Sequence, residues 1–97
     1  MEIPKQIKVG AYTYDIVFVD EFSDKDNNPY DEDITGNSDS KSLVIKILSG
    51  LSRVQTESTF IHEIIEAIND HYGIDLEHHQ ICALESGVYQ VCQQLMK

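Results

Sequence analysis

A histidine and two glutamates stand close together in the second half of the chain, at His62, Glu63 and Glu66. In a helix, positions 62 and 66 lie on one face about 6 Å apart, so both side chains can bind one metal ion. Glu63 can then act as the catalytic general base toward a metal-bound water, as in the zinc-binding helix His-Glu-x-x-His. Carboxylate oxygen and imidazole nitrogen bind zinc at similar distances, so Glu66 is an acceptable second ligand. The other interpretation is a solvated helix face.

A catalytic zinc site needs a third protein ligand, and the next helix offers two candidates, His78 and His79. The short connection at residues 73–76 requires this helix to return antiparallel to the first. At 100° per residue, His79 points away from the apolar stripe of its helix, whereas His78 lies at the edge of that stripe. We therefore predict zinc bound by His62, Glu66 and His78. Two histidines and a carboxylate also accept nickel, cobalt or iron.

The residues around this motif predict two helices. Ser52 and Gln55 can form a capping box at the start of a helix that runs to about residue 71, and Gly73 stands where its C-cap is expected. A second helix is predicted over residues 77–96. Its apolar stripe is Ile81, Leu84, Val88, Val91 and Leu95. The first helix has its own apolar stripe, from Phe60 to Tyr72. We expect the two stripes to pack on each other and on one face of a sheet.

The first half of the chain predicts strands. Apolar residues alternate with polar ones over residues 7–18 and predict two strands joined at Gly10-Ala11. Residues 43–48 predict a third strand. Residues 20–40, with eight carboxylates and one lysine, predict an acidic loop.

Together these elements predict a single α+β domain over residues 1–97, with a three-stranded antiparallel sheet packed on two antiparallel helices. The strand-rich half covers residues 1–48 and the helical half residues 52–97.

Charge and hydropathy exclude several functions. Seventeen acidic against seven basic residues give a net charge of −10, and the basic residues are scattered, which argues against nucleic-acid binding. No apolar run approaches the roughly 20 residues that span a bilayer, and residues 1–9 lack the apolar stretch of a signal peptide. We therefore expect no membrane association and a cytoplasmic location.

Cys82 and Cys92, about 15 Å apart along one helix, are too distant to form a disulfide.

The chain also resembles a known group of proteins. Residues 59–68, TFIHEIIEAI, and residues 76–81, LEHHQI, followed by YQV at residues 89–91, are similar to segments of small zincin-like proteins encoded by phages and prophages. More broadly, the order of three strands, a His-Glu-x-x helix and a further helix resembles the minimal core of gluzincin metallopeptidases. The resemblance is tightest over residues 59–91.

This resemblance implies a minimal zinc metallopeptidase that hydrolyses peptide bonds. Gluzincins usually carry His-Glu-x-x-His and a downstream glutamate; here Glu66 replaces the second histidine and His78 stands near the expected glutamate. The ligand set would thus keep two histidines and one carboxylate, with their positions exchanged. The resemblance also implies that strand 43–48 lies at the sheet edge and binds an extended peptide by β-augmentation. An ordinary edge strand protected by Lys41 and Lys46 is the alternative.

Two other functions remain open from the sequence. An inactive phage accessory protein of this shape would bind a host protein through its acidic surface. An acidic mimic of DNA would need carboxylates spaced like phosphates on a rigid surface, whereas most lie in the predicted loop.

Two further sequence features could indicate sites. Asp24, Asp26 and Asn28 have the spacing of a calcium loop, but Pro29 and Thr35 stand where glycine and glutamate are required, so we predict no dedicated calcium site. Tyr89 shares a helix face with Glu85 and is either an oxyanion donor near the metal or a packing residue.

Overall fold

The computed structural model describes residues 1–22 and 34–96, and in these ranges the fold is α+β, as predicted. The chain forms four strands and two helices. They are β1 (Gln6–Val9), β2 (Tyr12–Val19), β3 (Gly36–Asp39), β4 (Val44–Leu48), α1 (Arg53–Tyr72) and α2 (His78–Leu95). The possible calcium ligands Asp24, Asp26 and Asn28 lie outside the described residues.

The sheet has four strands in the order β1-β2-β4-β3 and is mixed. β1 and β2 form the predicted antiparallel hairpin, with Gly10 in the left-handed region at its turn. β3 and β4 also pair antiparallel, but β2 and β4 run parallel. The prediction of three antiparallel strands is therefore wrong in strand number and in the direction of one pairing. The long connection between β2 and β4 makes a parallel pairing possible, because parallel strands need a crossover of a dozen or more residues.

The additional strand, β3, changes the place in the sheet of the strand predicted at residues 43–48. β4 lies between β2 and β3, and its side chains Ile45 and Ile47 have no exposed surface. The expectation that residues 43–48 form the sheet edge is therefore wrong. Within the described sheet, β3 is the edge strand on that side. Its sequence, Gly-Asn-Ser-Asp, lacks the apolar alternation that predicts strands and falls within the predicted acidic loop.

Helix α1 covers one face of the sheet. It begins with the predicted capping box between Ser52 and Gln55 and ends at Gly73, whose φ of 58° places it in the left-handed region. Its buried side chains Phe60 and Ala67 pack into the core of the sheet. The core residues are Val9, Tyr14, Ile45, Ile47, Phe60 and Ala67.

Helix α2 packs against α1 and, among the described elements, contacts no strand. Its buried residues are Ile81 and Tyr89, whereas most of the predicted stripe is exposed: Leu84, Val88, Val91 and Leu95. The expectation that α2 packs on the sheet is therefore wrong, because α1 already covers the sheet and α2 forms a third layer. Within the described ranges, neither helix has the length and apolar character needed to cross a bilayer.

Candidate metal centre

The three side chains predicted as metal ligands come together between α1 and α2. His62, Glu66 and His78 each offer one ligand atom, and these atoms all lie within 4.8 Å of one another. Nε2 of His62 lies 3.8 Å from Oε1 of Glu66, and the rings of His62 and His78 have centroids 5.6 Å apart. Two ligand atoms of one tetrahedral zinc lie about 3.4 Å apart. Small side-chain movements would therefore allow this group to hold a metal ion.

The antiparallel course of the two helices brings His78 to this position. Ser58 pairs with Glu85 and Glu57 pairs with Tyr89, so later residues of α2 meet earlier residues of α1. The loop between α1 and α2 is stabilised by Asn69, whose Oδ1 accepts a hydrogen bond from the Leu76 N–H at 2.8 Å. The first turn of α2 consequently lies beside the second half of α1.

His79 does not join the group. Its side chain is 75% exposed, and its Nδ1 lies 3.4 Å from Oε2 of the equally exposed Glu77. As the predicted orientation along α2 requires, His78 and His79 point in different directions. Of the two candidates, the structure therefore favours His78 as the third ligand.

Glu85 orients the imidazole of His62. Its Oε1 lies 2.8 Å from Nδ1 of His62, and its Oε2 accepts a hydrogen bond from the Ser58 hydroxyl. An ionised carboxylate only accepts hydrogen bonds, so a neutral His62 that pairs with it carries its hydrogen on Nδ1 and donates a hydrogen bond to Glu85. This tautomer leaves the lone pair of Nε2 free on the side of Glu66. Such carboxylate–histidine pairs orient metal ligands and make them more basic.

Glu63 is the buried acid of the site. Only 6% of its surface is exposed, and burial raises the pKa of its carboxyl from 4.5 to about 7. When His62 is protonated, its positive charge opposes this rise in the pKa of Glu63, whereas the neighbouring carboxylates Glu66 and Glu85 add to it. A group with a pKa near neutrality is well suited to accept a proton from water at that pH.

The start of β3 closes the site on the side of the sheet. The Thr59 hydroxyl donates to Oγ1 of Thr35 at 3.1 Å. At Gly36, a Cβ atom would lie 2.6 Å from Cγ2 of Thr59 and 2.8 Å from Oε2 of Glu63, so only glycine fits. The segment 34–36 and the facing sides of α1 and α2 line a cleft of about 510 Å³, which has the size of a small-ligand site.

Sequence reasoning missed the contributions of Gly36, Cys82 and Glu85. Gly36 falls within the predicted acidic loop, because its contact with α1 is not visible in the sequence. Cys82 and Glu85 follow His78 by four and seven residues, a spacing that places all three on one face of α2 and could have identified them.

Tyr89 does not take the role of an oxyanion donor. Its hydroxyl is buried and donates to Oε1 of Glu57 at 2.7 Å. It lies outside the residues that line the cleft. Tyr89 therefore joins α1 to α2.

Comparison of the chain with protein-family models, with curated proteins and with solved structures finds no match. The zincin-like resemblance stays a prediction. The functional interpretation therefore depends on the geometry of the cleft itself.

Proposed function

We propose that this protein is a small zinc-dependent metallopeptidase with a zincin-like site. The observation that carries the proposal is the position of His62, Glu66 and His78, whose ligand atoms lie within 4.8 Å of one another. The buried Glu63 lines one cleft with His62 and His78. Two histidines and one carboxylate form the ligand set of several catalytic zinc sites in peptidases. A bound zinc ion would polarise the peptide carbonyl and make a coordinated water more acidic.

Each residue of the proposed site has a separate role in this mechanism. His62, Glu66 and His78 hold the ion, and Glu85 fixes the orientation of His62 through its Nδ1–H. Glu63 accepts the proton of the attacking water and then donates it to the leaving amine. Its burial keeps the carboxylate poorly hydrated, and its contact with Gly36 limits its movement.

The proposed substrate is an extended peptide, bound along β3 rather than β4. β3 is the edge strand beside the cleft, and its first residue, Gly36, contacts Glu63. Backbone hydrogen bonds to an edge strand would hold the peptide in register, as in β-augmentation.

The test of metal binding compares the wild type with His62→Ala/Glu66→Ala and with His79→Ala. His79 is an exposed neighbour outside the ligand group, so it is the matched control. After purification without added metal, elemental analysis should find one equivalent of zinc in the wild type and in His79→Ala, and none in the double variant. Absence of zinc from the wild type, even after its addition, would overturn the proposal.

The test of catalysis uses Glu63→Gln, which keeps the size of the side chain and removes the base. With a mixture of peptides as substrate, analysed by mass spectrometry, the zinc-loaded wild type should generate new amino termini. Glu63→Gln should bind zinc and lose this activity.

Zinc binding without hydrolysis would favour the alternative function. The protein would then be an inactive accessory protein that binds a basic region of a host protein through its acidic surface, consistent with the net charge of −10.

A further inference from the structure

Cys82 lies beside the proposed ligands without being one of them. Its Sγ is 3.4 Å from Nε2 of His78, one turn earlier on α2, and it lines the same cleft as His62 and Glu63. The pair His78 and Cys82 on α2 thus faces the pair His62 and Glu66 on α1. Both pairs have the spacing of four residues that places two side chains on one helix face.

The distance between His78 and Cys82 already suits a shared metal ion. Zinc binds imidazole nitrogen at about 2.0 Å and thiolate sulfur at about 2.3 Å, so two such ligands of a tetrahedral ion lie about 3.5 Å apart. The observed separation is 3.4 Å. Cys82 is not in the set of atoms that lie within 4.8 Å of one another, so it would enter the coordination sphere by a side-chain movement.

The cleft offers independent support for a ligand at this place. Glu63, which is only 6% exposed, lines the cleft together with His62 and His78. An ionised carboxylate is costly to bury, and a cation beside it would offset that cost. Cys82 lines the same cleft.

We propose that the thiolate of Cys82 is a fourth protein ligand that closes the metal site. This inference rests on the proposed function, because it requires the metal bound by His62, Glu66 and His78. When the sulfur–metal bond forms, the thiol proton passes to solvent and a coordinated water leaves. Four protein ligands are typical of a closed site, whereas an open position is typical of a catalytic one. The closed form would therefore be a resting state in equilibrium with an open form, in which water replaces the thiolate and hydrolysis can proceed.

Cobalt is a suitable probe, because a thiolate bound to Co²⁺ produces a strong charge-transfer band in the near ultraviolet. The experiment compares the wild type with Cys82→Ser and Cys92→Ser after titration with Co²⁺. Cys92 is the matched control, because it is equally half-buried on the same helix but lines the outer, apolar side of α2. The band should be present in the wild type and in Cys92→Ser, and lost in Cys82→Ser.

The outcomes separate the two proposals. Cobalt binding without the charge-transfer band in the wild type overturns the role of Cys82 and leaves the three-ligand site standing. Failure of the wild type to bind cobalt or zinc overturns both.

A second measurement uses only the wild-type protein, so it does not require any variant to fold. One equivalent of zinc should protect Cys82 of the wild type from iodoacetamide while Cys92 reacts at an unchanged rate, as mapped by mass spectrometry. Equal alkylation rates of Cys82 with and without bound zinc would overturn the inference.

Discussion

Gly36 and Glu63 lie in direct contact, 27 residues apart in sequence. A Cβ atom at position 36 would lie 2.8 Å from Oε2 of Glu63 and 3.0 Å from its Cγ. The edge of the sheet therefore positions the carboxylate that we propose as the catalytic base. This contact connects the fold to the chemistry, because a change in β3 must alter the position of Glu63.

Gly36→Ala is expected to displace Glu63 and to reduce both stability and hydrolysis. Insertion of a methyl group into a well-packed contact costs about 1–3 kcal/mol. The control is Gly87→Ala, since no atom lies within 4 Å of a Cβ at position 87 in α2. This control should raise the free energy of unfolding by about 0.5–1 kcal/mol. Urea denaturation measures both, and equal effects of the two substitutions would contradict the proposed contact.

The raised pKa of Glu63 predicts a specific dependence of stability on pH. In the metal-free protein, the folded state holds this proton up to about pH 7, whereas the unfolded state releases it near pH 4.5. The free energy of unfolding should therefore fall as the pH rises from about 4.5 to about 7, by up to roughly 3 kcal/mol from this group. In Glu63→Gln this contribution disappears, so the variant should be the more stable protein at pH 8. Parallel pH profiles of the two proteins would show that Glu63 titrates normally.

Glu85→Gln is expected to weaken metal binding by about 10- to 100-fold, because removal of a carboxylate behind a ligating histidine lowers the basicity and order of that ligand. The substitution affects the hydrogen bond between Oε1 of Glu85 and Nδ1 of His62, which lie 2.8 Å apart. Competition with a chromophoric chelator measures the affinity. The control is Glu77→Gln, which changes an exposed carboxylate at the N-cap of the same helix and should leave the affinity unchanged. Equal affinities of the two variants would remove Glu85 from the site.

The one-sided burial of α2 predicts opposite outcomes for two apolar residues of the same stripe. Ile81 is 3% exposed and packs toward α1, so Ile81→Ala should cost about 2–5 kcal/mol. Val91 is 52% exposed, so Val91→Ala should change the free energy of unfolding by no more than about 0.5 kcal/mol. Thermal and chemical denaturation test both values. A large loss for Val91→Ala would indicate that this face is covered.

The sequence alone was sufficient for the two helices, for the β1–β2 hairpin and for the pairing of His62 with Glu66. These features depend on interactions within a few residues: the cap of Ser52 with Gln55, the left-handed Gly73, and the spacing of four residues on a helix face. Because these interactions are local, they can be predicted from the order of residues in the sequence. The choice between His78 and His79 followed from periodicity for the same reason.

Only the tertiary structure decided the sheet order, the face of α2 that is buried and the surroundings of Glu63. β3 is polar and becomes a strand because β4 supplies its hydrogen-bond partners. The apolar stripe of α2 indicates a face that can be buried, but α1 already covers the sheet, and most of that stripe is exposed. Likewise, the roles of Gly36 and Glu85 arise from contacts between segments more than 20 residues apart. Such contacts depend on how the layers pack, which no local pattern of residues contains.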